Sequence, residues 1–470
     1  MNNQSLIYRG VKVAVMGLGV SGRAAVRYAL HCGGEVLVSD SRPKEQFLTE
    51  EGEFLAASGV AWEAAGHSRE FLTKADLLLI SPGVNLELPL LRSLRDDGVQ
   101  IVGELAVADG HIDVPVVAVT GTNGKTTVTT LIGEILKSAG KRVFVGGNIG
   151  TPLYEYLLYP GDYDIVVVEV SSFQLESAGG FAPDVGLLLN ITPDHLDRHF
   201  SMERYARIKM NLFQHQQPEA IAIINGDDPL CRELPSGIRS AVRAFGTNDD
   251  HAAIIRDGRI LLAVDNKTEE YRFEGMKQPN GITLMNFAAT ILAVRSLGCT
   301  HSQIQAGLEA FRSLPHRIEF VAEVNGVSYY NDSKATNTGA VVGALEQFPG
   351  NVILLAGGRD KGDDFGLLRD SVMSKVKKMV VLGEAAALLG AALADVVEME
   401  TVASMEDAVR AAARNALPGD VVLLSPACAS FDMFSSYGHR GHEFKRAVLA
   451  MQNSSGPLKM GYAACEHKRD

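Results

Sequence analysis

The sequence predicts an α/β protein of doubly wound, mostly parallel sheets, and three observations carry that reading. Short β-rich runs alternate with longer helical patterns through most of the chain, the order that winds helices over parallel strands. Several of these runs are apolar throughout instead of alternating, as strands buried on both faces must be. Two glycine-rich turns, Gly17–Gly22 and Gly121–Thr127, each stand between such a run and a helical pattern.

In order, Lys12–Met16, Glu35–Ser39 and Leu77–Ile80 read as strands, followed by Val114–Thr120, Ile165–Val170, Val185–Ile191 and Ile221–Ile224. Asp250–Arg272 reads as irregular β structure. Val327–Tyr330, Val352–Ala356, Met379–Leu382 and Val421–Leu424 complete the set. At roughly 150 residues per domain, a 470-residue chain suggests about three domains. The polar joint Asp109–Val114 and the helix-ending Leu314-Pro315 mark the boundaries, giving 1–111, 112–314 and 315–470, with a patternless polar tail from Pro457.

The net charge of −12 excludes a basic nucleic-acid footprint, although a few local Lys and Arg can still bind an acidic substrate. Cys32, Cys231, Cys299, Cys428 and Cys465 are odd in number and widely spaced, with no CxxC, which argues against a disulfide framework or a structural zinc. Met1–Gly10 is polar and carries no secretory h-region. No apolar run approaches the ~18 residues of a membrane span, so a cytoplasmic protein is expected.

The loop Gly121-Thr122-Asn123-Gly124-Lys125-Thr126-Thr127 follows a strand and opens the helical pattern Val128–Ser138. Its backbone N–H groups can face a phosphate, and the helix N-terminus adds partial positive charge. Lys125 can reach the outer phosphates, and the Thr126 hydroxyl can bind Mg²⁺. Val119 stands where the general P-loop pattern has its first glycine, so this is a shortened variant. The turn Gly17–Gly22, with Asp40 ending the next strand, is a dinucleotide fingerprint whose acidic residue is placed to hold a ribose hydroxyl. A nicotinamide cofactor is one reading of it; any nucleotide diphosphate is another.

Glu169 lies near the end of one strand, and His195 follows the strand that Asn190 ends, which is where open α/β sheets gather ligands. Together they offer an oxygen and a nitrogen donor to a divalent ion beside ATP. Lys209, on the helical pattern Met202–Phe213, reads from pattern alone as a solvated face. Asp332–Asn337, Gly357–Lys361 and Ser425–Asp432 each place polar or cationic groups after a strand. Cys428 has no evident base partner and reads as a small buried residue.

Together these motifs resemble those of the Mur ligases. Gly121–Thr127 (GTNGKTT), Gly146–Gly150 (GGNIG), Glu169–Leu175, Asn190–Asp197, Leu314–Arg317 and the late loops occur in family order, in a match running from Gly17 to Phe444. Asp332–Asn337 (DSKATN) and Ser425–Asp432 (SPACASFD) are similar to the D-glutamate-adding branch. The resemblance implies a Rossmann-like N-terminal domain binding UDP, a central P-loop ATPase and a Rossmann-like C-terminal domain binding the amino acid.

It assigns UDP to Val20, Ser21, Asp40, Ser41 and Arg42, with Ser81 and Gly83 nearby, and the muramoyl-alanine part to Asn148, Ser171 and Gln174. It assigns ATP to Gly121–Thr127, Asn286, Arg317 and Asp332, and D-glutamate to Lys334, Thr336, Lys361, Ser430, Phe431 and Tyr437. Where the family has a His-Asn pair shortly before Asn286, this chain has Ile282 and Thr283.

The implied reaction activates the alanine carboxylate of UDP-N-acetylmuramoyl-L-alanine with ATP as an acyl phosphate, which the amine of D-glutamate then attacks. Lys125, His195 and Lys209 are the implied catalytic residues. Thr126, Glu169, His195 and a carbamylated Lys209 are the implied ligands of two divalent ions, Mg²⁺ or Mn²⁺. The spacing from His195 to Lys209 is one residue shorter than in familiar members, and Tyr205-x-x-x-Lys209 carries the assignment. Arg317, Asp332 and Lys334 would complete the ATP site on domain closure, and a monomer is expected. A nicotinamide oxidoreductase would leave the phosphate loop unexplained. A folylpolyglutamate-synthase-like ligase should lack the first domain, and a nucleotide sensor would not need Glu169, His195 and Lys209 together.

Overall fold

The computed structural model describes residues 6–233, 237–264, 267–273, 281–311 and 314–454. Ser313, Cys465, the tail from Pro457 and the side chains of Ile282 and Thr283 lie outside the described residues.

Three sheets flanked by helices give the expected α/β fold. The first contains β1 (Lys12–Met16), β2 (Glu35–Ser39), β3 (Ala61–Glu63), β4 (Leu77–Ile80) and β5 (Gln100–Val102), all parallel in the order β3-β2-β1-β4-β5. The second contains β6 (Val116–Thr120), β7 (Val143–Gly147), β8 (Ile165–Glu169), β9 (Val185–Leu188), β10 (Ile221–Asn225), β11 (Ala241–Gly246), β12 (Ala253–Arg256), β13 (Arg259–Val264) and β14 (Lys267–Tyr271). Its order is β14-β13-β12-β11-β10-β9-β6-β8-β7, with β6 between β8 and β9. The third contains β15 (Glu319–Val324), β16 (Val327–Asn331), β17 (Val352–Gly357), β18 (Val376–Leu382), β19 (Met399–Thr401) and β20 (Val421–Leu424), in the order β15-β16-β20-β17-β18-β19.

Some expected bounds shift for local reasons. Pro115 has no N–H to give a ladder, and β6 begins after it. β9 stops at Leu188 because the following residues leave the sheet to brace the loop after β6. Asp250–Arg272, expected to be irregular, contains a regular antiparallel meander, β12–β14. The short strands β3, β5 and β19, and β15 with its exposed Phe320 and Glu323, carry too little apolar pattern to be read from sequence.

The chain forms two compact units. One comprises Met1–Thr192, Arg198–Pro279 and Thr283–Phe311 and holds the first two sheets. A single apolar cluster joins them, running from Val13 and Val15 through Leu105 and Val107 to Tyr154, Leu157, Val166 and Val168. The other comprises Pro193–Asp197, Asn280–Ile282 and Arg312–Asp470. Its sheet has one core on each face, around Leu354 and Val381 and around Ile353 and Val422.

Candidate active site

In the first unit, the loop leaving β6 is held mainly through backbone groups. Asn190 Oδ1 accepts from the Asn123 N–H at 2.8 Å, and its Nδ2 donates to the Asn123 carbonyl at 3.0 Å. The Thr122 N–H donates to the Asn190 carbonyl, and the Thr122 hydroxyl to the Thr192 carbonyl, both at 3.0 Å. Loop groups that would otherwise lack partners are thus fixed in one conformation. Gly124, at φ +84°, is the N-cap of helix Lys125–Ser138. A Cβ there would lie 2.6 Å from Asn286 Oδ1, so glycine is what lets Asn286 approach the loop.

Lys125 curls over its own loop, its Nζ donating to the carbonyls of Gly121 (2.9 Å) and Thr122 (2.7 Å). The Thr126 hydroxyl donates to Glu169 Oε2 at 2.6 Å, and Asn148 Nδ2 donates to Glu169 Oε1 at 2.7 Å. The structure therefore brings together three residues, Thr126, Glu169 and Asn148, that stand in three separate motifs of the sequence. A carboxylate and a hydroxyl at one point fit Mg²⁺, which takes one or two carboxylates and completes its shell with phosphate and water. Among the described residues, no three His, Cys, Asp or Glu side chains form a preformed metal cage.

Lys209 departs from the solvated face that pattern suggests. It lies buried on helix Met202–Gln214. Its Nζ donates to the Gly121 carbonyl at 2.8 Å and stands 4.6 Å from the centre of the Tyr205 ring. A buried ammonium needs such partners to offset desolvation.

At the first glycine turn, a Cβ on Gly22 would meet the Gly17 carbonyl at 1.9 Å, so helix Val20–His31 can start against the turn only with glycine there. Asp40 Oδ2 accepts from the Leu18 N–H at 2.7 Å and Arg42 Nη2 at 3.0 Å, while Oδ1 takes the Arg42 N–H and Nε. Burial would raise this carboxyl, but the bonds from Arg42 and Leu18 bring it below its ordinary value. Asp40 Oδ2 thus braces the turn through Leu18, while Oδ1 is taken up by Arg42. Val20, Ser41 and Gly83 are exposed, whereas Ser21 and Ser81 line a small cavity with Glu104 and Tyr154. Glu104 went unnoticed in the sequence. It is buried, accepts from the Tyr154 N–H (3.2 Å) and from Gln174 Nε2 (3.1 Å), and burial pushes its carboxyl up to about 7. Gln174 in turn accepts from the Ser171 N–H and hydroxyl, both at 3.0 Å.

In the second unit, three loops after strands converge on Arg440, a residue that no motif in the sequence marks. Its buried guanidinium donates to the Ser333 hydroxyl and carbonyl and to the carbonyls of Gly357, Cys428 and Ala429. Burial without a bonded carboxylate lowers it to about 10. Asp332 accepts from the Ile318 N–H and the Ser425 hydroxyl, and burial pushes it up to about 7. The positive charge of Arg317 favours the ionised form of Asp332, and burial outweighs it.

Lys334 Nζ stands 3.9 Å from the centre of the Tyr437 ring. Lys361 Nζ donates to Asp194 Oδ1 at 2.7 Å, and His195 Nε2 lies 3.6 Å from Asp194 Oδ2. Thr336 is half-buried, Ser430 buried and Phe431 exposed. Cys428 is buried with its thiol pushed up to about 12 by burial, which suits the inert reading.

Comparison with known proteins bears on the whole chain. Residues 11–103 match the family model of the Mur ligase MurD-like N-terminal domain, 119–289 the Mur ligase middle domain and 316–428 the Mur ligase glutamate ligase domain. The UDP-N-acetylmuramoylalanine--D-glutamate ligase of Desulfotalea psychrophila is 49% identical, over 94% of this chain and 96% of that protein. The protein of the same name from Pelotomaculum thermopropionicum is 43% identical, over 94% and 98%. Among solved structures, a pseudomurein peptide ligase type C from Methanothermus fervidus shares the fold at a TM-score of 0.61 and 19% identity, over 94% of this chain and 100% of that one. MurF ligase from Thermotoga maritima, in complex with ADP, shares it at 0.58 and 21%, over 95% and 96%. With the phosphate loop, its paired carboxylate and the late loops all in place, the chain belongs to the Mur ligase family.

Proposed function

We propose that this enzyme joins D-glutamate to UDP-N-acetylmuramoyl-L-alanine at the expense of ATP, through an acyl phosphate, in peptidoglycan precursor synthesis. The observation that carries the reading is Lys125 beside the Thr126–Glu169–Asn148 array at the C-terminal ends of β6 and β8. Activation brings a carboxylate to a phosphate, so neutralising charge and positioning the reactants dominate the barrier. Lys125 exchanges its loop carbonyls for phosphate oxygens. Thr126 and Glu169 would hold one Mg²⁺, which supplies positive charge to the transferring phosphoryl group. Lys209, carbamylated, and His195 are the proposed ligands of a second ion. A carbamate turns the buried cation into the anion that a metal ligand must be.

Val20, Ser21, Ser41, Arg42, Ser81 and Gly83 are proposed to meet UDP, with Asp40 bracing the turn. Asn148, Ser171 and Gln174 are proposed for the muramoyl-alanine part. Lys361 and Thr336 hold one carboxylate of D-glutamate, and Ser430 with the backbone near Phe431 and Tyr437 holds the other. Functional segments 1–111, 112–314 and 315–470, a monomeric state and a cytoplasmic setting belong to the same proposal. Phosphate release tests it: with ATP and UDP-N-acetylmuramoyl-L-alanine, D-glutamate should drive release while L-alanine and diamino acids do not. Faster release with either of the latter would overturn the D-glutamate assignment.

A further inference from the structure

Within the second unit, Asp194 is held from two sides. Its Oδ1 accepts from Lys361 Nζ at 2.7 Å, and its Oδ2 accepts from Asn337 Nδ2 at 3.1 Å. Asn337 is itself fixed, because its Oδ1 caps helix Thr338–Leu345 by accepting the Ala340 N–H at 2.8 Å. The pair is nearly dry, with side-chain exposures of 10% for Asp194 and 18% for Lys361.

An amino acid arrives as a zwitterion, with a carboxylate and an ammonium on one carbon. If Lys361 turned to the substrate carboxylate with nothing further, the nearly buried Asp194 would lose its hydrogen-bonded ammonium and keep the Asn337 amide, with His195 at 3.6 Å, and that loss is costly. The substrate ammonium removes that cost. It can take the place of the lysine ammonium on Asp194 while the substrate carboxylate takes Lys361. One internal ion pair then becomes two intermolecular ones, with no buried charge stranded.

We propose that Asp194 binds the ammonium of the amino-acid substrate, so that Lys361, Asp194 and Asn337 form a receptor for the zwitterionic head group. The proposal rests on the reading of Lys361 as a D-glutamate ligand. It explains why a carboxylate stands beside a cation assigned to an anionic substrate: the resting pair already has the sign and hydrogen-bond geometry of the bound one. It also gives the site a reason to refuse a dicarboxylate that lacks an amine.

The test uses the full-length enzyme with ATP and UDP-N-acetylmuramoyl-L-alanine. It compares the KM for D-glutamate with the inhibition constant of glutarate, the same skeleton without the amine. Asp194→Asn should raise the D-glutamate KM by roughly 10- to 100-fold and leave the glutarate constant unchanged or lower. Lys361→Met should weaken both. If turnover of Asp194→Asn is too low to follow, calorimetric titration of the nucleotide-loaded enzyme with each ligand yields the same two constants.

Equal weakening of D-glutamate and glutarate by Asp194→Asn would overturn the proposal, because Asp194 would then only position Lys361. An unchanged or lower D-glutamate constant would overturn it too, leaving Asp194 a resting counter-ion. If Lys361→Met alters neither ligand, it is the underlying D-glutamate reading that fails.

Discussion

The phosphate loop of the first unit and the loop cluster of the second solve the same problem by different means. After β6, a short contiguous stretch is fixed through its own backbone, with Asn190 supplying both a donor and an acceptor to Asn123. In the second unit, three loops far apart in the chain are gathered by one buried guanidinium, that of Arg440. A backbone-held loop tolerates loss of a side chain that points from it. A side-chain-held cluster does not tolerate loss of the side chain at its centre. Substitutions in the first region should therefore damage chemistry and spare structure, whereas the key substitution in the second should damage both.

The largest effects belong to the first region. Lys125→Ala should lower kcat by about 10²- to 10³-fold in a protein that stays folded, with the KM for D-glutamate little changed. Near-normal phosphate release from a folded variant would break the comparison. Lys209→Ala should be nearly inactive, and acetate should restore part of its turnover by putting a carboxylate where the proposed carbamate stood. Wild-type activity in that variant would return Lys209 to a purely structural role.

Arg440→Met comes next. It leaves several buried acceptors without donors while removing a costly buried charge, so the net loss of stability should be roughly 3 kcal/mol. The D-glutamate KM should rise as the loops relax, while nucleotide affinity at the phosphate loop holds, and Arg440→Lys should recover part of both losses. Denaturation midpoints and steady-state constants read the two effects separately. A large fall in nucleotide affinity instead would show that the two regions are not independently built.

The smallest expected effect is a slope with pH. Burial raises Glu104 and Asp332 to about 7, from ordinary values of 4.5 and 3.8. The folded chain therefore keeps protons that the unfolded chain gives up. The stability these groups contribute is full below about pH 4, falls as pH rises toward 7 and is then flat. Each should account for roughly 3 to 4 kcal/mol across that range. Glu104→Gln and Asp332→Asn should each flatten part of the stability difference between pH 5 and pH 8. An unchanged slope in both would mean that neither group keeps its proton in the folded chain.

These contrasts also explain what could be read beforehand. Leu77–Ile80 and Val421–Leu424 were legible because strands buried on both faces must be apolar throughout. The phosphate loop was legible because its function lies in adjacent residues. Lys209 was not legible from pattern, since nothing in a helical period reveals that a lysine ends on the Gly121 carbonyl. Arg440 sits on a long, polar helix, where an arginine ordinarily meets water. Asp194 stood in a recognised motif, yet its meaning depends on Lys361, 167 residues further on.

The apolar cluster shared by the first two sheets bears on recombination between relatives. Leu105 and Val107 precede the polar joint at Asp109–Val114, and Tyr154 and Leu157 follow it, in one continuous core. A crossover at that joint would preserve every motif and still sew two halves of a core from different parents, leaving voids or clashes that each parent had avoided. The third sheet keeps its apolar faces within its own segment, so a junction near Pro315 cuts neither of them. Chimaeras exchanged at the second position should therefore fold more readily than those exchanged at the first.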